Sequence, residues 1–257
     1  MKHQRFLGVA LLISSFYSVA GGFPFVARAA DNCVISHDDL AVIRAIQSNP
    51  NLGYLEEINQ ELAARKKLLS RIIICARGDA RSLHATMDAV SVNSADENIK
   101  NQLSGKIDDA INYYNIELEK LNGSGILGSE QIAQEVLSWR ANTYAQLSSN
   151  VDNFILWSQN QDLFRVASDR MAQISPMVSF LSQSGNGDLA SAFASTQTSF
   201  NTAKNENASA RLALSEFLSP DQTLAAIKQS LQSLSETYQD FFNVSDVIQK
   251  LLSGGSK

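Results

Sequence analysis

Few residues of this 257-residue chain carry distinctive chemistry: Cys33 and Cys75, His3, His37 and His84, and the cations Arg65, Lys66 and Lys67. In an oxidising compartment the two thiols are expected to pair, with two buried free thiols or bridges between chains as the alternatives. A Cys33–Cys75 bridge would close a loop of about 42 residues and stabilise by roughly 4 kcal/mol, less any strain. His84 and Asp88 stand four apart, which puts them on one face of a helix. An imidazole and a carboxylate at that spacing can supply two metal ligands, but a closed site needs about four and a catalytic one about three plus water. The ordinary reading of the pair is therefore a surface contact. Consecutive acids such as Asp38-Asp39, Glu56-Glu57 and Asp108-Asp109 diverge around a helix instead of converging, which suits a solvated face better than acid–base work.

Arg65-Lys66-Lys67, with Arg71, Arg77 and Arg81, is the one basic concentration. Glu61 stands four residues before Arg65, the favourable order for a helical ion pair. A self-paired, solvated face follows; contact with an anionic lipid or wall polymer is the alternative use of these three residues. The chain has no HExxH, no P-loop, no GxGxxG, no GxSxG and no SxxK. The glycines of Asn122 to Gly128 (NGSGILG) lack the lysine and the preceding strand that a phosphate cradle needs. No catalytic residue, metal ligand or cofactor-binding residue is assigned, and the expectation is a non-enzymatic protein without a cofactor. A formal net charge of −5 argues against nucleic acid as a partner.

The first thirty residues have the composition of an export signal. Lys2 and Arg5 precede an apolar run, Phe6 to Ala20, and Ala27-Arg28-Ala29 offers small residues at the two positions that a signal peptidase reads. The run is shorter than the ~20 residues of a membrane span. A signal peptide over 1–29 is expected, and with it a periplasmic, cell-envelope or extracellular location. Its removal takes three of the 21 basic and none of the 26 acidic residues, moving the net charge from −5 to −8. No later stretch is apolar enough to span a bilayer. Leu68 to Ala76 contains Arg71, and Val151 to Trp157 is short; these two are the candidate insertion segments of a membrane-active protein.

The elements that position these residues are helices. Apolar residues recur every three or four positions nearly throughout, and no stretch alternates as a strand does. With 4 prolines, long uninterrupted helices are allowed. The spacing predicts a helix over about 38–47 and a second over about 52–90, with Gly78 marking a bend or split. A third is predicted to open at a Ser94-to-Glu97 capping box. A fourth region runs from Ser129 to Leu181, broken by the polar run Ser158–Asp162 and kinked at Pro176. Trp139, Phe154 and Trp157 fall at core spacing within it.

The last two helices repeat every seven residues. Leu189, Phe193, Phe200, Asn207 and Leu214 lie on one seam, with Thr196, Ala203, Ala210 and Phe217; Leu224, Leu231, Tyr238 and Ile248 lie on the other, with Ile227, Leu234, Phe241 and Ser245. Ser219-Pro220-Asp221-Gln222 has the form of a cap with proline at the first helical position. Folded antiparallel there, Leu214 faces Leu224, Asn207 faces Leu231, Phe200 faces Tyr238, and Ala203 meets Leu234. Small then meets large, as a filled seam requires. Each arm of about 30 residues spans roughly 45 Å. Asn207 on the seam would set register or oligomer state, or else mark an Ala-lined, loosely packed level.

The expected architecture is therefore all-α: an elongated antiparallel helical bundle over 30–183, stapled near its start by the bridge, a coiled-coil hairpin over 184–252, and a loose tail over 253–257. The expected function is an exported structural or interaction protein, an adaptor, spacer or assembly component of the cell envelope, whose partner is a helical protein or a second copy. A membrane-active, toxin-like protein is the alternative; an envelope hydrolase or metal-binding bundle comes third.

Overall fold

The computed structural model describes residues 37–182 and 187–254. The expected signal segment, Cys33, the Ser184–Asn186 part of the expected turn, and the last three residues of the tail lie outside them. Every element is helical: α1 (His37–Ser48), α2 (Tyr54–Asp88), α3 (Glu97–Gly123), α4 (Ile126–Trp139), a π-helical turn (Arg140–Tyr144), α5 (Ala145–Ser182), α6 (Gly187–Ser215) and α7 (Pro220–Gly254). The all-α bundle is as the periodicity requires. The described residues fall into two compact units: 37–90 with 100–148, and 91–99 with 149–182 and 187–254.

In the first unit α2 starts at Gly53, whose extended backbone leaves the first-turn N–H groups without a side-chain cap. Glu56 and Glu57 place negative charge against that helix end instead. The helix runs unbroken through Gly78, against the expected split. A helical glycine costs about 1 kcal/mol relative to alanine, and the packing of buried Ala76 and Ala80 on either side offsets it. The far end is closed by Lys100, whose Nζ donates to the carbonyls of Asp88 (3.2 Å) and Val90 (2.7 Å). The core joins Leu69, Ile73, Ala76 and Ala80 of α2 to Ala110, Tyr114 and Leu121 of α3, and to Ile132, Ala133, Val136 and Tyr144. A smaller cluster seats Ile43 of α1 on Leu68 and Ile72.

The start of α3 also departs from expectation. The first helical residue is Glu97, so the helix opens later than a box capped by Ser94 requires. Asn93 acts instead: its Oδ1 accepts from Ala95 N (2.9 Å) and its carbonyl from Asp96 N (3.0 Å). An asparagine that folds its side chain onto the backbone two residues ahead makes a tight turn of its own.

The second unit packs the greater part of α5 with α6 and α7. The polar run Ser158–Asp162 does not break α5, because its side chains bond back along the helix: Ser158 Oγ donates to Ile155 O (2.8 Å) and Gln161 Nε2 to Trp157 O (2.9 Å). Pro176 lies inside α5 without ending it. At the turn between α6 and α7, Leu218 N donates to Ala213 O (3.0 Å) and Phe217 N to Leu214 O (3.3 Å), with Phe217 in the left-handed region at φ 53°. That is the Schellman ending of a helix. Ser219 Oγ then accepts from Gln222 N (3.4 Å), which opens α7 with Pro220 as its first residue.

Candidate functional site

The basic run is largely spent on the protein itself. Arg65 pairs with Glu61 (Nε to Oε1, 2.8 Å), and Glu61 also accepts from Gln47 Nε2 of α1 (2.8 Å). Lys66 Nζ donates to the carbonyl of Asn122 (3.0 Å), in the last turn of α3, where a cation is favourable. Lys67 alone of the three is exposed. Cys75 is half-buried on α2. Leu68, Leu69, Ile72, Ile73 and Ala76 are buried, as are Val151, Phe154 and Trp157, so each short apolar run gives one face to the core, while Ile74 is exposed. Among the described residues no helix is long and apolar enough to cross a membrane.

His84 makes the contact its spacing suggested and one that it did not. Its Nδ1 lies 3.1 Å from Asp88 Oδ2, and its Nε2 lies 3.3 Å from Asp108 Oδ1 on α3. The ring thus lies between carboxylates of two helices. Among the described residues no group of three or more histidines, cysteines and acids is placed to hold a metal ion.

Around the π turn the first unit holds a polar and aromatic cluster that periodicity does not reveal. Arg140 NH2 reaches Asp79 Oδ2 of α2 (2.7 Å), and its guanidinium lies 5.3 Å from the centre of the Tyr144 ring. Tyr113 stacks on Trp139 at 4.0 Å, and the Tyr114 ring meets Trp139 edge-on at 5.4 Å. The Tyr114 hydroxyl is pushed up to about 12 by burial, with Arg140 pulling the other way. Burial also raises Tyr113, helped by the charges of Glu117 and Glu135. Glu117 is 1% exposed; its Oε1 accepts from Lys120 Nζ (2.8 Å), while its Oε2 has no hydrogen-bond partner among the described residues. The π turn delivers this set. One extra residue per turn re-phases the chain, so that Val136, Arg140 and Tyr144 all turn inward. The arrangement fixes α4 against α2 and α3, and it pairs no nucleophile with a base.

In the second unit the seam on α6 is as expected: Leu189, Phe193, Thr196, Phe200, Ala203, Ala210 and Leu214 are buried. Phe200 and Tyr238 belong to one cluster, with Leu234 and Phe241. On α7 the burial is displaced. Leu224, Leu231, Tyr238 and Ile248 are half-buried and Ser245 is exposed, whereas Thr223, Ser230, Thr237 and Val244 are buried. The reason is a third helix. Phe164 and Ala167 of α5 enter the cluster of Phe200 and Phe241, and Val178 of α5 packs with Leu189, Phe193 and Val244. The hairpin is thus two walls of a three-helix bundle, not a two-helix seam.

Asn207 is where this correction bears most. Its side chain is engaged within the chain. Its Oδ1 accepts from Trp157 Nε1 (2.9 Å) and Gln161 Nε2 (3.2 Å), and its Nδ2 donates to Gln161 Oε1 (3.0 Å). The asparagine specifies pairing within the chain, between α5 and α6. Arg211, further along α6, holds Asp96 and the carbonyl of Ala95.

Several large apolar side chains also lie outside these networks. Met177 and Phe180, one turn apart on α5, are exposed, the latter by 75%; Phe242 on α7 is exposed too, as are Tyr54, Leu55 and Leu127 in the first unit. Comparison with protein-family models, with characterised proteins and with solved structures returns no match.

Proposed function

We propose that this is an exported, non-enzymatic helical protein that acts by binding another protein, as an adaptor, spacer or assembly component of the cell envelope. One observation carries the reading: Met177 and Phe180 point outward from a helix whose inner face is already filled by α6 and α7. An apolar pair at i and i+3 on an ordered helix is the form in which a partner helix is gripped. The polar residues of the second unit bond within it, as Asn207, Trp157 and Gln161 do. Export rests on the composition of the first thirty residues. The Cys33–Cys75 bridge belongs to the same proposal, supported by Cys75 not being a free thiol.

The test is a photo-crosslinking residue placed at Phe180 and, as control, at Ser168, an exposed polar position on another face of the same helix, in cells that make the protein. The expected result is one discrete adduct from position 180, lost in a Met177→Glu variant. Equal, diffuse labelling from both positions would refute the reading. Recovery of the protein in the cytoplasm with its full N-terminal segment would refute export separately.

A further inference from the structure

We propose that the α6–α7 hairpin exchanges between two copies of this chain: the turn Glu216–Ser219 opens, and α7 of each copy packs on α5 and α6 of the other. Three observations at the turn lead to this. Phe217 is the one non-glycine residue with positive φ among the described residues, at 53°. In that conformation Cβ crowds the backbone, and only glycine, with asparagine and aspartate to a lesser degree, adopts it readily. The turn is also short and carries Phe217 and Leu218 where turns ordinarily carry polar residues, and Leu218 is 40% exposed. Finally, Leu189, Thr196, Ala203, Ala210, Phe217, Leu224, Leu231 and Tyr238 stand seven apart without interruption. The seven-residue spacing runs on through the turn, and from Phe217 onward its positions are half-buried.

Opening gives up little. The Schellman bonds and the bond from Asn153 Nδ2 to Pro220 O (2.8 Å) are lost at the hinge. Every other contact of α7 is re-formed with the partner, which is why exchange of an identical element is a low-cost route to a dimer. Phe217 is released from its left-handed conformation in both copies. Ser219 precedes Pro220 and so favours the extended backbone that an open hinge needs. Phe217 and Leu218 of the two hinges then lie at the two-fold axis, where each can cover the other.

The experiment refolds the full chain at high and at low concentration, and measures mass by light scattering after size-exclusion chromatography. High concentration should yield a dimer that persists for hours on dilution, because separating it requires α7 to detach. A left-handed residue costs about tenfold per chain, so Phe217→Gly should lower the dimerisation constant on the order of a hundredfold. Phe217→Asn should lower it less. Phe217→Ala, which keeps the strained backbone and loses only the ring, should still dimerise more than either. Wild-type protein that stays monomeric after concentrated refolding overturns the proposal. So does a dimer that dissociates within minutes, or one that Phe217→Gly leaves as abundant as before.

Discussion

The two units reach a filled core by different means. The second is built from columns: residues seven apart on α6 meet residues on α7 and α5, and small side chains such as Ala203 and Thr196 let the helices approach. The chief polar level is the one that Asn207, Trp157 and Gln161 form. The first unit is instead organised about a point. A π turn re-phases the chain so that Arg140 and Tyr144 reach a cluster of rings and charges shared with α2 and α3. A repeating core spreads its energy evenly along the helices, whereas a polar, aromatic one concentrates it in a few groups that depend on each other.

Four measurements sharpen or break that contrast. The largest effect is expected at the one place where the second unit resembles the first. Trp157 is 2% exposed and bonded to Asn207, so Trp157→Ala should destabilise by about 3–5 kcal/mol in chemical denaturation. A loss below about 1 kcal/mol would mean that the columns alone hold the bundle. Next, Asn207→Leu removes the acceptor of Trp157 Nε1 and the partner of Gln161. We expect a loss of about 1–3 kcal/mol with no change in molecular mass. A change in mass without loss of stability would return Asn207 to a role between chains.

The first unit should show its character in alkali. A folded-state value raised above the ordinary tyrosine value of about 10 means that the folded chain holds its proton where the unfolded chain has released it. The stability contributed by a neutral Tyr114 is therefore fully present below pH 10 and is lost as pH rises toward 12. Each such group adds a slope of up to about 1.4 kcal/mol per pH unit in that window. Tyr114→Phe should flatten the slope, and an unchanged profile would dissociate the ring cluster from the unit's stability. The smallest effect lies in the columns. Thr223 is fully buried and its Oγ1 has no partner among the described residues. Thr223→Val should leave stability unchanged or raise it by about 1 kcal/mol, read as a higher midpoint in urea.

What could be read from the residues follows the same division. A seven-residue period is a property of spacing, so the seam from Leu189 to Leu214 and the antiparallel return at Ser219-Pro220 were legible. The buried column Thr223, Ser230, Thr237 was not, because hydroxyl residues count as polar in a pattern. Ser230 and Thr237 are buried with their hydroxyls turned back onto Ile227 O and Ser233 O, both at 2.9 Å, so neither brings an unsatisfied group into the core. The π turn left no trace either: Arg140 to Tyr144 (RANTY) has ordinary helix formers, and what holds it is Asp79, sixty-one residues away. The short reach of His84 to Asp88 was visible in the spacing, and its reach to Asp108 needed two helices to be laid side by side. Gly78 and the Ser158–Asp162 run misled because local propensity is weak against tertiary packing.

Asn207 has one more consequence. Asn207-Ala208-Ser209 has the form of an acceptor for N-linked sugar, as do Asn122-Gly123-Ser124 and Asn243-Val244-Ser245. Asn122 and Asn243 are exposed. At Asn207 the nitrogen that would carry the glycan is already donating to Gln161. In a host that glycosylates, the finished fold would shield this acceptor while leaving the other two open, and a sugar attached before folding would keep α5 and α6 from closing at that level.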